Sequence, residues 1–377
     1  MGEKTKRIVV DDMLLTANSP TTAGSKMLDR YQSPISAEAI LCVEAAGYVV
    51  CEKAPVGEFA IDLLGETCTR GAKTCDGILK NATAEAVLSG EAVGALCLDV
   101  NGYPRRAAAQ TGIVCLKPTY GKISRKGVIS VAPSGETVDI LSKNAEDCRE
   151  LFNVVAKHSA TATSPICRVA ILTSLNNGTN DEVKGKISTA VSSLQNSGIS
   201  TTYIENSAVL AAKEAWNTIL CAEISKSTAR YDGIRYGHRT EHFTMLDELY
   251  TGSRTEGFGD LVKAAILYGA DTLSVKNYQN VYDKSLRVRR VIADEFAKMF
   301  EGYDAILLPA CSSRVYTKEQ VEADKYIAFE ENRFTAPATL AGLPTVVAGC
   351  VQLIGKPNAE HALLDVAKIL AGGGQVI

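Results

Sequence analysis

The chain lacks the motifs that mark several common enzyme classes. It contains neither a GxGxxG nor a GxxxxGK[ST] motif, which excludes the usual glycine-rich phosphate cradles. No GxSxG elbow occurs, and only four histidines are available for a Ser-His-Asp triad. No apolar run approaches the roughly 20 residues that span a bilayer. We therefore expect no nucleotide cofactor and no membrane span.

The chain also lacks a large excess of charge of either sign. The net charge of −3 at pH 7 argues against a nucleic-acid surface created by bulk charge, so direct nucleic-acid binding is not supported. The first residues, MGEKTKRIVV, lack the long apolar core of a secretory signal. We therefore predict a cytoplasmic protein.

Metal ligands are not grouped in this sequence. The eleven cysteines form no CxxC pair, and we interpret them as reduced, buried, small apolar side chains. The HRTEH run from His238 to His242 has the spacing of an inverted zinc motif. However, no third ligand is evident, and the flanking residues favour a loop entering a helix. We predict no metal site and no cofactor.

What the sequence does contain is an alternation of strand-like and helical patterns. Apolar runs predict strands at Arg7–Val10, from Tyr48, at Arg168–Leu172 and from Asp304. Residues 181 to about 300 are helix-rich: a helix from Val183 ends at Gly198, and the short strand STTYIE follows it. The loop at 173–181 separates the two parts. The pattern indicates an α/β fold with a single large domain over residues 1–377.

Two carboxylates follow the first predicted strand directly. Asp11 and Asp12 are candidates for acid/base chemistry or cation binding, because both come at a strand end. A strand-end turn with solvated carboxylates is the simpler interpretation, and it is the one we favour.

Several ordered segments carry a resemblance to a known family. They are TAGSKMLDRYQSP from Thr22, EFAIDLLGET from Glu58, GIVCLKPTYGKISRKGV from Gly112, AEISKSTARYDGIRYGHR from Ala222, RTEGFGD from Arg254, RVRRVIADEFAKMFEGYDAILLPA from Arg287, TAPATLAGLPT from Thr335 and VQLIGKP from Val351. Together they resemble the amidase signature family over nearly the whole chain, most closely the A subunits of tRNA-dependent glutamyl/aspartyl amidotransferases. The resemblance implies a mixed central sheet surrounded by helices, and an enzyme that hydrolyses glutamine to supply ammonia to a partner subunit.

The family's catalytic residues are replaced at all three positions. Family members use a Ser nucleophile, a bridging Ser held by a cis peptide and a Lys base. By resemblance, the Lys aligns with Asp11 and the nucleophile with Tyr103 in DVNGY, where a hydrolase reads DTGGS. Counting back without gaps from Gly90 places Leu79 at the bridging Ser. A leucine relays no proton, and a tyrosine is not a small hydroxyl on an open turn.

The glycine-rich segment that holds the bridging Ser in the family is also lost. GILKNAT gives no reason to hold a cis bond, which costs about 3–4 kcal/mol outside proline. We expect an ordinary trans loop running into a helix. Asn81 is the predicted N-cap of that helix, with Glu85 in its first turn.

Other positions depart from the family or match its substrate pocket. The family's N-terminal helical segment is absent from this sequence, and only VVAGC joins LAGLPT to VQLIG, where the family has a longer connection. By resemblance, a remnant pocket is predicted to comprise Asp12, Asp99, Asn101, Gly102, Arg105, Tyr236, Arg289 and Arg290. Retained packing and surface ion pairs are the alternative for Tyr236 and the two arginines.

Our leading hypothesis is a catalytically inactive paralogue of the amidotransferase A subunit. It would act as a binding or scaffolding protein for amidotransferase-type subunits or for an active amidase paralogue. The first alternative is an enzyme with a rebuilt site that uses Asp11, Asp12, Asp99, Arg105 and Tyr103. A concave site with these side chains converging would favour that alternative, and a cleft filled by Tyr103 and Leu79 would count against it. The second is a purely structural component of an amidotransferase whose active site lies on another chain.

Overall fold

The computed structural model describes residues 6–51, 53–156 and 164–372. Its strands, in chain order, are β1 (Arg7–Val10), β2 (Val49–Val50), β3 (Lys73–Cys75), β4 (Ile78–Lys80), β5 (Gly94–Asp99), β6 (Val114–Lys117), β7 (Thr137–Ser142), β8 (Arg168–Leu172), β9 (Ser200–Ile204), β10 (Ala305–Pro309), β11 (Thr345–Ala348) and β12 (Val351–Gly355). The predicted strands at residues 7–10 and 168–172 are confirmed at their full length. The strand predicted from Tyr48 is reduced to two residues.

The helices alternate with these strands. They are α1 (Glu38–Ala45), α2 (Ala82–Leu88), α3 (Tyr103–Thr111), α4 (Ala145–Val155), α5 (Asp181–Asn196), α6 (Ala212–Thr228), α7 (Leu246–Gly257), α8 (Asp260–Thr272), α9 (Lys284–Gly302), α10 (Lys318–Ala323), α11 (Ile327–Ala341) and α12 (Glu360–Gly372). A π-helical turn at Tyr278–Asp283 leads into α9. The helix-rich region predicted for residues 181 to about 300 therefore contains five helices and the short strand β9.

Ten strands form one mixed sheet in the order β2-β1-β5-β7-β6-β11-β12-β10-β8-β9. The strands at its two ends pair in parallel, whereas the pairs from β5 to β10 across the centre are antiparallel. All six residues of β5 and all five of β10 are buried. Strands buried on both faces carry continuous apolar runs, and helices cover them on both sides. The predicted mixed sheet surrounded by helices is confirmed.

Local sequence signals explain where several helices begin and end. Side chains of Asn81, Asn144 and Asn180 accept backbone N–H groups at the starts of α2, α4 and α5. After α5 the chain turns at Gly198, whose φ of +80° favours glycine. Asparagine caps and a left-handed glycine are the expected helix boundaries. No helix within the described residues is both long and apolar enough to cross a membrane.

Candidate functional site

Asp11 and Tyr103, which by resemblance are predicted at the positions of a base and a nucleophile, are in contact inside the protein. Asp11 directly follows β1, and Tyr103 is the first residue of α3. The Tyr103 hydroxyl donates a hydrogen bond of 2.5 Å to Oδ2 of Asp11. The same oxygen accepts the backbone N–H of Leu98 at 2.7 Å, and Oδ1 accepts that of Met13 at 3.0 Å. The Asp11 carboxylate is therefore held by three donors.

This pair is closed off from solvent. Asp11 is 0% exposed and Tyr103 is 1% exposed. Burial raises the pKa of Asp11 to about 6, against the opposing effect of its hydrogen bonds. Burial and the adjacent Asp11 charge raise the pKa of the Tyr103 phenol well above its ordinary value. The Tyr103 hydroxyl proton therefore lies between two enclosed oxygens, and neither side chain is accessible to solvent.

The turn before Tyr103 is held by its own side chains. Oδ1 of Asp99 accepts the backbone N–H of Gly102 at 2.6 Å, so that N–H is already satisfied. Gly102 has a φ of +81°, and a Cβ there would lie 2.6 Å from the side chain of Thr335. Only glycine fits this position without movement. Asn101 donates to the carbonyl of Ile61 at 2.7 Å, while its buried Oδ1 has no hydrogen-bond partner in the part of the chain that the structure describes.

Asp99 also forms the centre of a buried charge cluster. Its Oδ2 accepts from Nε of Arg105 at 2.8 Å, and both side chains are almost fully enclosed. Arg105 continues to the carbonyl of Thr335 and the hydroxyl of Thr339 on α11. Arg105 therefore joins the end of β5 and the start of α3 to α11, a structural role that its place in the predicted pocket did not specify.

Two members of the charge cluster were missed by sequence reasoning. Asp139 lies on β7, and burial together with the Asp99 charge raises its pKa well above the ordinary value. Lys117 lies on β6, and burial lowers its pKa to about 8. The sequence does single out Asp139, because it is the one carboxylate in the strand TVDILS, whose other residues are apolar or carry a hydroxyl. Lys117 stands in GIVCLKPTYG, where it is the one charged residue of an otherwise apolar strand.

The interpretation of Asp11 and Asp12 as solvated carboxylates is wrong. Asp12 is 2% exposed, and its Oδ2 accepts the backbone N–H of Thr22 at 3.1 Å and also the Thr22 hydroxyl. Its Oδ1 lies 3.3 Å from Nζ of Lys53, another residue that the sequence did not single out. The strand-end turn is present, but the following segments fold over it and remove both carboxylates from water.

The segment around Leu79 is also more ordered than expected. Instead of a plain loop, β3 and β4 form a hairpin across Asp76 and Gly77, and Leu79 is buried within it. The described residues contain no cis peptide bond. The predicted cap is confirmed: Oδ1 of Asn81 accepts the N–H of Ala84 at 3.0 Å, and Glu85 lies in the first turn of α2.

Tyr236, Arg289 and Arg290 make separate contacts elsewhere. The Tyr236 ring packs 5.1 Å from that of Tyr31. Arg289 donates to the backbone carbonyls of Leu340 and Ser134. Arg290 pairs with Asp294 one helical turn later, on the surface. These contacts agree with the alternative of retained packing and surface ion pairs.

The histidine motif and the cysteines carry no metal site in the described residues. HRTEH lies in the loop before α7, and Nε2 of His238 contacts Glu256 at 2.7 Å. No group of three or more His, Cys, Asp or Glu side chains in residues 6–51, 53–156 and 164–372 could hold a metal ion. All eleven cysteines are free. Seven are buried as expected, whereas Cys75 and Cys167 are exposed, contrary to the interpretation.

Two cavities are lined by residues other than Asp11 and Tyr103. One of about 500 Å³ is bounded by α6, α8 and α11, with Asn217, Tyr268 and Phe329 among its lining residues. The other, of about 390 Å³, is lined in part by Lys53 and Arg70. Neither cavity is lined by Asp11, Leu79 or Tyr103.

Comparisons with known proteins agree on one family. The family model described as Amidase matches residues 83–364. The A subunit of glutamyl-tRNA(Gln) amidotransferase from Symbiobacterium thermophilum is 33% identical over an alignment of 394 positions, which covers 96% of this chain and 81% of that relative. The corresponding protein from Coxiella burnetii is 33% identical over an alignment of 393 positions, which covers 95% of this chain and 81% of that relative.

Solved structures share the fold. The A subunit of the Thermotoga maritima glutamyl-tRNA(Gln) amidotransferase superposes with a TM-score of 0.79 at 24% identity, over 98% of this chain and 84% of that one. Kluyveromyces lactis allophanate hydrolase gives a TM-score of 0.81 at 22% identity, over 97% and 61%.

Proposed function

We propose that this chain, which belongs to the amidase family, no longer hydrolyses amides and acts as a binding or scaffolding subunit. Its partners would be amidotransferase-type subunits or an active amidase paralogue. The single observation that carries the proposal is the enclosed hydrogen bond between Tyr103 and Asp11. The proposal involves no cofactor and no metal.

The nucleophile position supports this proposal first. A serine hydrolase needs a small hydroxyl that can reach a carbonyl carbon while a base accepts its proton. Tyr103 instead presents a bulky phenol whose O–H is already donated to Asp11. Its raised pKa keeps the phenol protonated at neutral pH, so it is a poor nucleophile.

The base position supports it in a second way. The family's base is a lysine, whereas Asp11 is a carboxylate whose two oxygens accept three hydrogen bonds. A carboxylate with a pKa of about 6 could accept a proton in principle. Here it faces only protein groups, and at 0% exposure it lies out of contact with any attacking water.

The proton relay and the anion-stabilising turn are affected as well. Leu79 stands where the family's bridging serine is expected and offers no proton. An oxyanion hole needs free N–H donors aimed at the developing charge. The Gly102 N–H donates to the Asp99 carboxylate, so this N–H is not free to receive an oxyanion.

The rest of the molecule supports a retained binding role. The ten-stranded sheet and the buried Asp99–Arg105 pair are intact, so the scaffold did not degrade together with the triad positions. The similar proteins are named as subunits of an amidotransferase, and a protein of this kind can be kept for its surfaces alone.

The test measures ammonia release from glutamine and asparagine by the purified chain. The positive control, assayed in parallel, is the A subunit of the Symbiobacterium thermophilum glutamyl-tRNA(Gln) amidotransferase. We expect no release above the no-enzyme rate. Activity that disappears in a Tyr103→Phe variant would overturn the proposal and favour a rebuilt site. A variant carrying Asp11→Lys, Leu79→Ser and Tyr103→Ser shows whether the scaffold can still present the family's groups.

The partner role has its own test. The tagged chain is co-expressed with the other subunits of an amidotransferase, and separately with an active amidase paralogue. Retention of one of them through purification supports scaffolding. A chain that stays alone in both experiments contradicts it, whatever the ammonia assay gives.

A further inference from the structure

The edge strand β9 forms one end of the ten-stranded sheet. We propose that two copies of this chain join their sheets along this edge, in an antiparallel pair across a two-fold axis. β9 pairs in parallel with β8 over its full length, from Arg168 opposite Ser200 to Leu172 opposite Ile204. Among the described residues, no strand pairs with its other side. This inference does not depend on whether the chain hydrolyses amides.

The backbone of β9 has unused hydrogen-bonding groups. The N–H of Ser200 donates to the carbonyl of Cys167 at 2.8 Å and therefore points toward the β8 side. Backbone groups alternate along a strand, so those of Thr202 and Ile204 also point to β8, whereas those of Thr201 and Tyr203 point outward. Within the part of the chain that the structure describes, no hydrogen bond satisfies these outward groups. The edge thus offers two donors and two acceptors.

This edge has none of the features that prevent strand addition. Proteins usually protect such edges with proline, lysine, bulges or very short strands. The opposite edge, β2, follows that rule because it is only two residues long. β9 has five residues of sequence STTYI, with no proline and no charge. Its Tyr203 side chain is 62% exposed.

A second copy of the same strand complements these groups. If the two-fold axis passes beside Thr202, Thr201 lies opposite Tyr203 of the second copy. By symmetry, Tyr203 lies opposite Thr201 of the second copy. Both residues point their backbone groups outward, so the two pairs exchange four N–H···O=C bonds. Each pair also places a threonine beside a tyrosine ring, a favourable cross-strand contact.

The charges near the strand do not oppose this pairing. The nearest charged residue after β9 is Glu205, three positions from the proposed axis. At the rise of a β-strand, the two copies of Glu205 lie about 20 Å apart, beyond the Debye length at physiological salt. Since both strands are uncharged, the antiparallel pair places no charged side chains of β9 opposite each other. A small interface of this kind predicts a dissociation constant of about micromolar order.

The test measures the mass of the full-length chain by sedimentation velocity from about 1 to about 200 µM, a range that brackets the expected constant. We expect a concentration-dependent shift to twice the mass of one chain. A protein that remains monomeric over this range overturns the proposal. Dimerisation itself does not identify the interface, so variants of β9 are needed.

Two variants address the edge, and a third controls for lost apolar surface. Tyr203→Lys adds a protective charge, and Thr201→Pro removes an outward N–H that β8 does not use. We expect each to raise the dissociation constant at least about tenfold. Leu267→Lys changes a side chain that is 71% exposed on α8 and should leave the constant unchanged. If both β9 variants dimerise as tightly as the unchanged chain, the interface lies elsewhere and the proposal is overturned. Loss of dimerisation in Leu267→Lys alone would overturn it in the same way.

Discussion

Replacing Tyr103 with phenylalanine removes one hydroxyl from the enclosed site and keeps the ring. Asp11 then keeps its two backbone donors, from Leu98 and Met13, but loses the phenol. A hydrogen bond to a charged group contributes about 1.5–3 kcal/mol, and one between neutral groups about 1 kcal/mol. Because the pair is buried, no solvent replaces the missing donor. We expect Tyr103→Phe to lower the free energy of unfolding by about 2 kcal/mol at pH 8 and by about 1 kcal/mol at pH 5.

The pH dependence follows from the pKa of Asp11. Burial raises this pKa from 3.8 to about 6, so the folded state holds the proton more tightly than the unfolded chain. Stability is therefore lost as the pH rises from about 4 through 6. The hydrogen bond from Tyr103 lowers the pKa of Asp11, so removing the Tyr103 hydroxyl raises the pKa of Asp11 further. The variant consequently loses additional stability above pH 6 and regains it when Asp11 is protonated.

Urea unfolding of both proteins at pH 5 and pH 8 measures the effect. Tyr48→Phe is a matched control, because the Tyr48 hydroxyl donates to Oε1 of Glu150 at 2.8 Å, on a carboxylate that is 48% exposed. That change should cost less than about 1 kcal/mol and the same amount at both pH values. An equal cost for Tyr103→Phe at pH 5 and pH 8 would refute the reasoning about Asp11. So would a cost no larger than that of the control.

Two further changes probe other buried charges, both by urea unfolding. Glu58 accepts the backbone N–H of Gly259 at 2.8 Å, and burial raises its pKa from 4.5 to about 7. The folded state therefore binds this proton more tightly than the unfolded chain, so the free energy of unfolding falls by about 3 kcal/mol as the pH rises from 4.5 to 8. Glu58→Gln should remove that fall. An unchanged dependence of stability on pH in the variant contradicts this prediction. Arg105→Ala leaves Asp99 buried without its cation and should lower the free energy of unfolding by about 4 kcal/mol. The control, Arg290→Ala, removes an exposed side chain and should lower it by less than about 0.5 kcal/mol. Similar losses for the two variants would contradict the structural role of the buried pair.

The elements that the sequence predicted well depend on short-range patterns. The strand at Arg7–Val10 and the cap at Asn81 each need only a few neighbouring residues. The hairpin around Leu79 is equally local, since Asp76 and Gly77 are the two-residue turn that favours a type I′ hairpin. That signal is present in the sequence, but comparison of the segment with the family's glycine-rich loop favours a plain loop instead.

The burial of Asp11 and Asp12 depends on long-range contacts. Their partners are Tyr103, 92 positions after Asp11, and Lys53, 41 positions after Asp12. No periodicity in a local window registers such contacts, so two adjacent carboxylates after a strand resemble a solvated turn. The same reason explains why Asp139 was missed. Its interaction with Asp99 exists only because β5 and β7 are neighbours in the sheet.

The contact between Asp11 and Tyr103 indicates that the two substitutions are coupled. By resemblance, these positions carry a base and a nucleophile in the family, and here the two side chains share one hydrogen bond. A serine at 103 would leave Oδ2 of Asp11 short of a donor and vacate the volume of the ring inside a closed core. A lysine at 11 would place an ammonium where the phenol now donates, in a site without solvent. Each residue therefore fits because the other is present, and the two side chains form one structural unit in the core.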